Sequence, residues 1–526
     1  MVVVEYGINE MKNLTGFDKQ RITNGLTEIG APCEEHDERL VVELTPNRPD
    51  WFFAEGLARA LKSYYKNIIP SYKAEKSGYK VIVDRSVEKI RPYTICAVVK
   101  GLSLNTEKIE GLIQAQEKLM ATIGRKTKKF GMGFFDLSKL AFPIHYTTLK
   151  PDEIFYKPLN YPRAANAIEI LEKHPKGIEH GYMISKFDRY PVFHDANRKI
   201  MVLIPIVNSE EVGRIDESTH DVFIEVTGID QNIIARALKI VACSLIDMGG
   251  KAYSVEMNYP GKKFQSLDLR ETKEKLDIGF TNRILGTKFG KKEIVALLKR
   301  MGFETVGEHV LVPPYRLDIM HFIDIVEDIA IAYGFNNFET SLPGFFTPGQ
   351  LAADGYEKAG AVMRSMGFWE LKNFILTNKE KVEMVGNMEL KEITNPATAE
   401  FTVLRPSLAL SMLETFALNK NRALPQKLYE IGDVYDKGKL QKRLAFGLMG
   451  DGIEFAEFRG YIQVAFEEFG IEFEIKKTQN ELFESKISGL VLSKQKQLGV
   501  CGKISPDLLK KFNINSIVYF AEFSVF

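Results

Sequence analysis

The sequence is poor in cysteine, in long apolar runs and in net charge, and each shortage excludes a class of protein. The four cysteines are Cys33, Cys96, Cys243 and Cys501. They are scattered and form no CxxC pair, which argues against a structural zinc site or a disulfide framework. No uncharged apolar run approaches about 18 residues, and the N-terminus lacks a basic-then-apolar signal pattern. We therefore expect a soluble, cytoplasmic protein with no membrane partner.

The net charge of +1 creates no global basic field, so any contact with RNA must come from local patches. A length of 526 residues is too great for a single core. The helix and strand patterns predict a multidomain α+β fold. We divide it into an α/β region at residues 1–75, a mixed region at 76–261, a winged-helix-like module at 262–340, and an α+β region with a largely antiparallel sheet at 341–526. In the third region we expect a helix near residues 272–276.

The most informative feature is a cluster of four carboxylates. Helical periodicity from Ile319 onward puts Asp324, Glu327 and Asp328 on one face, with Asp318 just upstream, and we expect these four carboxylates to point outward. The opposite face is apolar and should be buried in the module: Phe322, Ile325, Ile329 and Ala332. Like charges at this spacing repel each other unless a cation or a basic partner offsets them. The pattern fits a solvated acidic face near a helix N-terminus, and it also fits an oxygen-ligand site for a hard divalent cation such as Mg²⁺.

Two basic features also have two interpretations each. The basic run at residues 124–129 follows a predicted helix over 109–123. Its positive charges can interact favourably with the C-terminal end of the helix dipole, or they can contact phosphate. Arg48 and Asp50 lie in a turn with two prolines. There Asp50 can cap the next helix, and the alternative is that the two side chains contact RNA.

Motifs along nearly the whole chain fit one family. They are TPNRPD at 45–50, EGLARA at 55–60, QAQEKL at 114–119, PIVNS at 205–209, VTGID at 226–230, RLD at 316–318, YG at 333–334, LRPSL at 404–408 and YEIGDV at 429–434. Together these segments resemble the beta subunits of phenylalanyl-tRNA synthetases, in their shorter archaeal and eukaryotic form. The chain departs from the family where Phe335 replaces the tyrosine that usually follows the YG pair.

The resemblance implies an (αβ)2 heterotetramer that uses ATP to attach phenylalanine to tRNA(Phe), with the aminoacylation active site on the alpha subunit. It also implies that region 76–261 is an editing-type domain and that region 341–526 is an inactive class II synthetase-like domain. The sequence agrees independently on the second point. It contains neither an FRxE-type motif nor a GxGxGxxR-type motif, whose arginines would bind the phosphates of ATP.

For the metal, the resemblance implies that Mg²⁺ is bound by carboxylates described in the family as shared with the alpha subunit: Asp318, Asp324, Glu327 and Asp328. Arg316 would partly neutralise this cluster when the metal is absent. The resemblance also implies a pocket that hydrolyses misformed Tyr-tRNA(Phe), since an apolar pocket rejects an added hydroxyl only weakly. Its expected residues are Phe193, Val202, Asn208, Ser209, Glu225 and Thr227.

This pocket departs from the family pattern at Val202, Ile204 and Glu225. Glu225 can still accept a hydrogen bond from a tyrosine hydroxyl, whereas Val202 cannot orient a water molecule. Ordinary sheet packing is the alternative interpretation of these residues, and we expect an editing activity that persists in altered or weakened form.

Two other functions stay open. One is a stand-alone tRNA-binding or regulatory paralogue that has lost the alpha partner and editing. The other, a free metal-dependent hydrolase, is weaker because such enzymes usually supply histidine ligands and an open coordination position.

Overall fold

The computed structural model describes residues 2–342, 344, 349, 355–386 and 388–524. The chain forms two compact units, residues 1–342 and 343–526. The predicted mixed α+β class with several sheets is confirmed. Among the described helices, none has the length and apolar character needed to cross a membrane.

The first sheet has three strands in the order β1-β3-β2, and helices pack against it. The elements are β1 (Val2–Gly7), α1 (Ile8–Thr15), α2 (Lys19–Glu28), β2 (Cys33–His36), β3 (Arg39–Leu44) and α3 (Ala54–Lys66). A 3₁₀ turn over Pro49–Phe52 precedes α3. Asp50 lies in this turn and does not cap α3, contrary to our expectation, because its carboxylate pairs with the Arg48 guanidinium at 2.9 Å.

A ten-stranded sheet forms the middle of the chain. This part of the chain contains both the strands of that sheet and the elements around it: β4 (Ala74–Val83), β5 (Tyr93–Lys100), α4 (Thr106–Ala121), β6 (Phe130–Asp136), β7 (Ile144–Leu149), β8 (Phe155–Tyr156), β9 (Ala165–Asn166), α5 (Ala167–Lys173), α6 (Pro175–His180), β10 (Tyr190–His194), β11 (Ile200–Leu203), β12 (Val207–Asn208), α7 (Glu210–Gly213), β13 (Val222–Gly228), α8 (Gln231–Asp247), β14 (Lys251–Tyr259) and β15 (Lys262–Gln265). The strand order is β12-β11-β10-β7-β4-β14-β5-β13-β6, with β15 beside β14. Strands β8 and β9 form a separate pair.

Strand β13 is buried on both faces, and its side chains divide between two cores with a period of two. Val222, Ile224 and Val226 belong to the core that contains α8. Phe223 belongs to the core on the opposite face of the sheet. The carboxyl of Glu225 therefore faces the second core.

The large sheet curves until its two terminal strands meet. Strands β12 and β6 stand at opposite ends of the strand order. Nevertheless, the Asn208 amide of β12 donates to the carbonyl oxygen of Phe134 on β6 at 3.5 Å. This seam puts side chains that are distant in sequence next to one another.

A buried charge network ties α3 to α8 and to the segment before the acidic helix. The Arg59 guanidinium pairs with Asp50 at 3.3 Å and with Asp247 at the end of α8. It also lies 3.8 Å from the ring centroid of Tyr315. Because Arg48, Asp50 and Arg59 are all buried and paired, these three side chains serve the fold.

The third sheet is small, with the order β16-β18-β17. The elements are β16 (Thr272–Lys275), α9 (Ile278–Leu285), α10 (Lys291–Arg300), β17 (Glu304–Val306), β18 (His309–Val312) and α11 (Phe322–Tyr333). The predicted helix near residues 272–276 is wrong. This polar segment is strand β16, because pairing with β18 outweighs the local helix propensity of its lysine and glutamate residues.

The unit 343–526 contains a seven-stranded sheet in the order β19-β23-β24-β28-β27-β26-β25, antiparallel except for β19 and β23. A three-stranded sheet has the order β20-β22-β21. The elements are α12 (Gly355–Ser365), β19 (Trp369–Leu371), β20 (Leu376–Thr377), α13 (Lys379–Val385), β21 (Lys391–Glu392), β22 (Val403–Leu404), α14 (Ala409–Asn419), β23 (Gln426–Asp436), β24 (Lys439–Gly450), α15 (Phe455–Phe469), β25 (Glu474–Lys477), β26 (Phe483–Ser493), β27 (Lys496–Ile504), α16 (Pro506–Lys511) and β28 (Ile517–Phe523).

In this unit, the LRPSL and YEIGDV segments meet in a buried ion pair. Arg405 contacts Glu430 at 2.7 Å and donates to the carbonyl oxygen of Asp433 at 3.0 Å. Both charged side chains are buried, so the two motifs help to determine the fold here.

Candidate functional site

Glu225 lies at the seam of the curved sheet. In the strand register it stands opposite Cys96 on β5 and opposite Gly133 on β6. A Cβ atom built on Gly133 would lie 3.1 Å from Glu225 Oε1 and 3.1 Å from Asn208 Oδ1. The missing side chain at Gly133 therefore lets an oxygen of Asn208 on β12 and an oxygen of Glu225 on β13 approach the same point.

The structure brings the apolar members of the expected pocket to the same face. Phe193 on β10 pairs directly with Val202 on β11, and its ring stacks on Tyr146 at 4.7 Å between centroids. Phe193, Val202 and Cys96 belong to one buried cluster. This cluster faces the side of β13 that carries Glu225.

The two hydroxyl residues have protein partners. Ser209 Oγ accepts from the backbone N–H of Glu211 at 3.3 Å, which makes it the N-cap of α7. Thr227 Oγ1 accepts from Arg91 Nε at 3.3 Å. Arg91, which the motif comparison did not single out, is buried beside the site without a carboxylate in ion-pair contact among the described residues. An isolated arginine before a proline carries no pattern that would reveal such a position.

The Glu225 carboxyl is held in an environment that disfavours its charge. Burial raises its pKa to about 8, and the nearby positive charge of Arg91 offsets only part of that effect. Among the described residues, none donates a hydrogen bond to the buried Oε2 atom. Leaving a buried polar atom without a partner costs about 1–3 kcal/mol, so the arrangement suits a ligand whose hydroxyl group bonds to this carboxyl.

The buried position of Glu225 predicts a pH dependence of stability. Its native pKa of about 8 lies above the ordinary value of 4.5, so the native state favours the protonated form. The contribution of this group to stability is complete below about pH 4.5 and is lost as the pH rises through about 8. Glu225→Gln removes this titration. We therefore expect the free energy of unfolding of the variant, relative to the wild type, to rise by a few kcal/mol between about pH 5 and about pH 9. Urea unfolding curves at both pH values measure it, and a constant difference would contradict the prediction.

The acidic helix contains a second cluster, organised around Arg316. Arg316 Nη2 lies 2.6 Å from Asp318 Oδ2 and 2.6 Å from Asp328 Oδ2. Burial raises the pKa of Asp328. Burial also acts to raise the pKa of Asp318, but Arg316 holds it below its usual value. The two aspartates shift in opposite directions because Asp328 is the more deeply buried of the two.

The other two carboxylates point elsewhere. Asp324 Oδ2 accepts from the backbone N–H groups of Met320 and His321, both at 2.8 Å, and so caps α11. Glu327 is exposed to solvent. The expectation that all four carboxylates point outward is therefore wrong for Asp328, which is buried against Arg316.

A Mg²⁺ site needs several of these carboxylate oxygens close to one point. Within residues 2–342, 344, 349, 355–386 and 388–524, no group of three or more His, Cys, Asp or Glu side chains is placed to hold one. The buried atom left without a partner here is Arg316 Nη1, which is a hydrogen-bond donor and not a metal ligand. The arrangement within this chain does not fit Mg²⁺ bound by all four carboxylates, and the magnesium site stays a prediction.

Two models of tRNA synthetase domains match different parts of this chain. The family model described as the phenylalanyl tRNA synthetase beta chain CLM domain matches residues 339–525. The model described as the tRNA synthetase B5 domain matches residues 275–335.

Whole-length relatives and a solved structure extend this match. The phenylalanine–tRNA ligase beta subunit of Archaeoglobus fulgidus is 35% identical, over 98% of this chain and 96% of that protein. The corresponding subunit of Pyrococcus abyssi is 33% identical, over 97% of this chain and 94% of that protein. A crystal structure of an N-terminal fragment of the phenylalanyl-tRNA synthetase beta subunit from Pyrococcus horikoshii has a TM-score of 0.61 and 31% identity, and the match covers 63% of this chain and 99% of that chain. The chain belongs to the family of phenylalanine–tRNA ligase beta subunits.

Proposed function

We propose that this chain assembles with an alpha subunit into an (αβ)2 phenylalanine–tRNA ligase, which attaches phenylalanine to tRNA(Phe) with ATP. The observation that carries this proposal is the sequence identity with known beta subunits, which extends over nearly the full length of this chain and of each relative. The aminoacylation active site belongs on the alpha subunit, since this sequence lacks the arginine motifs that bind the phosphates of ATP in class II enzymes. The unit 343–526, with its large antiparallel sheet, is then an inactive class II-like domain.

Co-expression with an alpha subunit tests the assembly. We expect the two chains to elute as one complex that charges tRNA(Phe) with phenylalanine, while this chain alone forms no aminoacyl-adenylate in a pyrophosphate-exchange assay. A chain that stays separate from every cognate alpha subunit, with no charging activity in the mixture, would refute the proposal.

The proposed function includes hydrolysis of Tyr-tRNA(Phe) at the site around Glu225, which Phe193, Val202 and Thr227 surround. Tyrosine differs from phenylalanine by one hydroxyl group, which an apolar pocket excludes poorly. The buried Glu225 carboxyl, with an oxygen that lacks a partner among the described residues, can bond to that hydroxyl, while Phe193 and Val202 supply an apolar wall. Incubating the complex with Tyr-tRNA(Phe) tests this step, and a rate equal to that in buffer alone would end the editing proposal.

An editing-deficient beta subunit is the second candidate, and two observations favour it. The Val202 side chain has no polar atom, and the Ser209 hydroxyl is occupied as a helix cap. This candidate predicts normal charging with phenylalanine and no accelerated hydrolysis of Tyr-tRNA(Phe), so the same assay separates the two.

A further inference from the structure

The basic run after α4 forms a loop with an unusual backbone. Arg125, Lys126 and Thr127 have φ angles of +48°, +54° and +65°, which puts three consecutive residues other than glycine in the left-handed region. This conformation costs about 1–2 kcal/mol per residue, so the surrounding contacts must hold it. A purely solvated charged segment has no need for such a conformation.

Backbone hydrogen bonds fold this loop back over the end of α4. The N–H of Thr127 donates to Met120 O at 3.1 Å, and the N–H of Lys126 donates to Ala121 O at 3.2 Å. Two further backbone N–H groups, of Thr122 and Gly124, satisfy the carbonyl oxygens of residues 118 and 119. The last carbonyl groups of the helix are thus bonded without help from the lysine side chains. The helix therefore does not need these side chains as hydrogen-bonding caps.

The charged side chains of the loop remain available. Arg125, Lys126 and Lys128 are exposed. In the part of the chain that the structure describes, none of the three forms an ion pair with a carboxylate. Since the backbone amides of the loop are already bonded, an anion that binds here would be bound by these side chains.

Arg91 connects the loop to β13, the strand that carries Glu225. Its Nη2 atom donates to Thr127 O at 3.2 Å and to Thr227 O at 3.0 Å. A Cβ atom built on Gly131 would lie 3.3 Å from the Thr127 methyl group and 3.4 Å from Pro205 Cβ. The loop therefore lies beside β6 and Pro205, and Arg91 fixes its position relative to the strand that carries Glu225.

We propose that Arg125, Lys126 and Lys128 bind backbone phosphates of the single-stranded 3′ end of an aminoacylated tRNA and thereby bring its esterified amino acid to Glu225. This inference rests on the proposed editing function. The amino acid is attached to the terminal nucleotide, so the phosphates nearest to a residue bound at Glu225 are those of the 3′ end. Contacts of lysine and arginine with phosphate fix position and register without reading sequence. That property suits a site that must accept a common 3′ end.

Kinetics of Tyr-tRNA(Phe) hydrolysis by the αβ complex test the proposal. For the double variant Lys126→Ala/Lys128→Ala, we expect KM to rise roughly tenfold while kcat changes little. The plot of log(kcat/KM) against log salt concentration should become shallower by roughly 0.7 for each lysine removed. Lys126→Arg/Lys128→Arg keeps both charges and should retain the wild-type KM.

Lys273→Ala/Lys275→Ala is the matched control. It removes two exposed lysines with the same spacing from β16, which belongs to a different sheet, and should leave KM and the salt slope unchanged. If the wild-type complex hydrolyses Tyr-tRNA(Phe) but the loop variant keeps its KM and salt slope, the inference is overturned and the proposed function stands. An equal loss in the control variant, or a loss in kcat alone, overturns it as well. A wild-type complex without hydrolysis refutes the editing function itself.

Discussion

Replacing Arg316 with alanine is expected to lower the free energy of unfolding of the unit 1–342 by about 3–5 kcal/mol. The Arg316 and Asp328 side chains are only 2% and 5% exposed. Removing the guanidinium leaves the Asp328 carboxylate buried and without its ionic partner, and water cannot replace the lost bonds without opening the core around α11. The same change removes the ion pair with Asp318 and the contact between the guanidinium and the Phe303 ring.

Tryptophan fluorescence during urea unfolding can measure this change in one unit of the chain. The sequence has two tryptophans. Trp51 is 4% exposed in the first unit, and Trp369 is 78% exposed in the second. In a Trp369→Phe background, Trp51 reports on the first unit alone. Arg270→Ala is the matched control, because Arg270 pairs with Asp268 at the same 2.6 Å but both side chains are largely exposed. It should leave the midpoint unchanged, and equal midpoints for the two arginine variants would contradict the prediction.

The acidic helix illustrates how far periodicity alone can be trusted. The prediction that Ile325, Ile329 and Ala332 lie on a buried face is confirmed. The outward orientation of Asp328 is wrong, because a helical wheel contains no information about Arg316 in the preceding turn. A buried carboxylate is tolerated only with a partner, and the partner here comes from outside the periodic segment. The start of the helix at Phe322, later than predicted, follows from the cap that Asp324 and His321 form.

The site around Glu225 shows what the sequence cannot predict about a curved sheet. Strand β13, Val222–Gly228, is predictable because its apolar run ends in a polar turn, which is typical of a buried strand. The approach of Asn208 to Gly133 was not predictable, because it depends on the curvature of a sheet whose terminal strands are far apart in sequence. The family motifs named the pocket residues without showing that the Ser209 hydroxyl caps α7 or that Arg91 bonds to Thr227.

The second large effect is expected at Glu225, on catalysis. In the αβ complex, Glu225→Ala should lower kcat/KM for hydrolysis of Tyr-tRNA(Phe) by about 10- to 100-fold, the equivalent of one hydrogen bond to an ionisable group. Hydrolysis of Phe-tRNA(Phe) should not fall in proportion, since phenylalanine has no hydroxyl group to bond. The ratio of the two kcat/KM values is the decisive quantity, because a general loss of folding or of tRNA binding would lower both together.

Glu75→Ala provides the comparison on the same sheet, because Glu75 is an exposed glutamate of β4. It should change neither rate. Glu225→Gln provides a second comparison, because an amide of the same size can still bond to a hydroxyl group. This variant should therefore retain more selectivity for Tyr-tRNA(Phe) than Glu225→Ala does. If Glu225→Ala and Glu225→Gln lower the hydrolysis rates of Tyr-tRNA(Phe) and Phe-tRNA(Phe) by the same factor, Glu225 supports the sheet and does not select tyrosine. If the loss is confined to Tyr-tRNA(Phe), the buried carboxyl at the seam of the sheet is the group that distinguishes the two amino acids. The carboxyl oxygen without a partner among the described residues would then be the atom that bonds to the tyrosine hydroxyl.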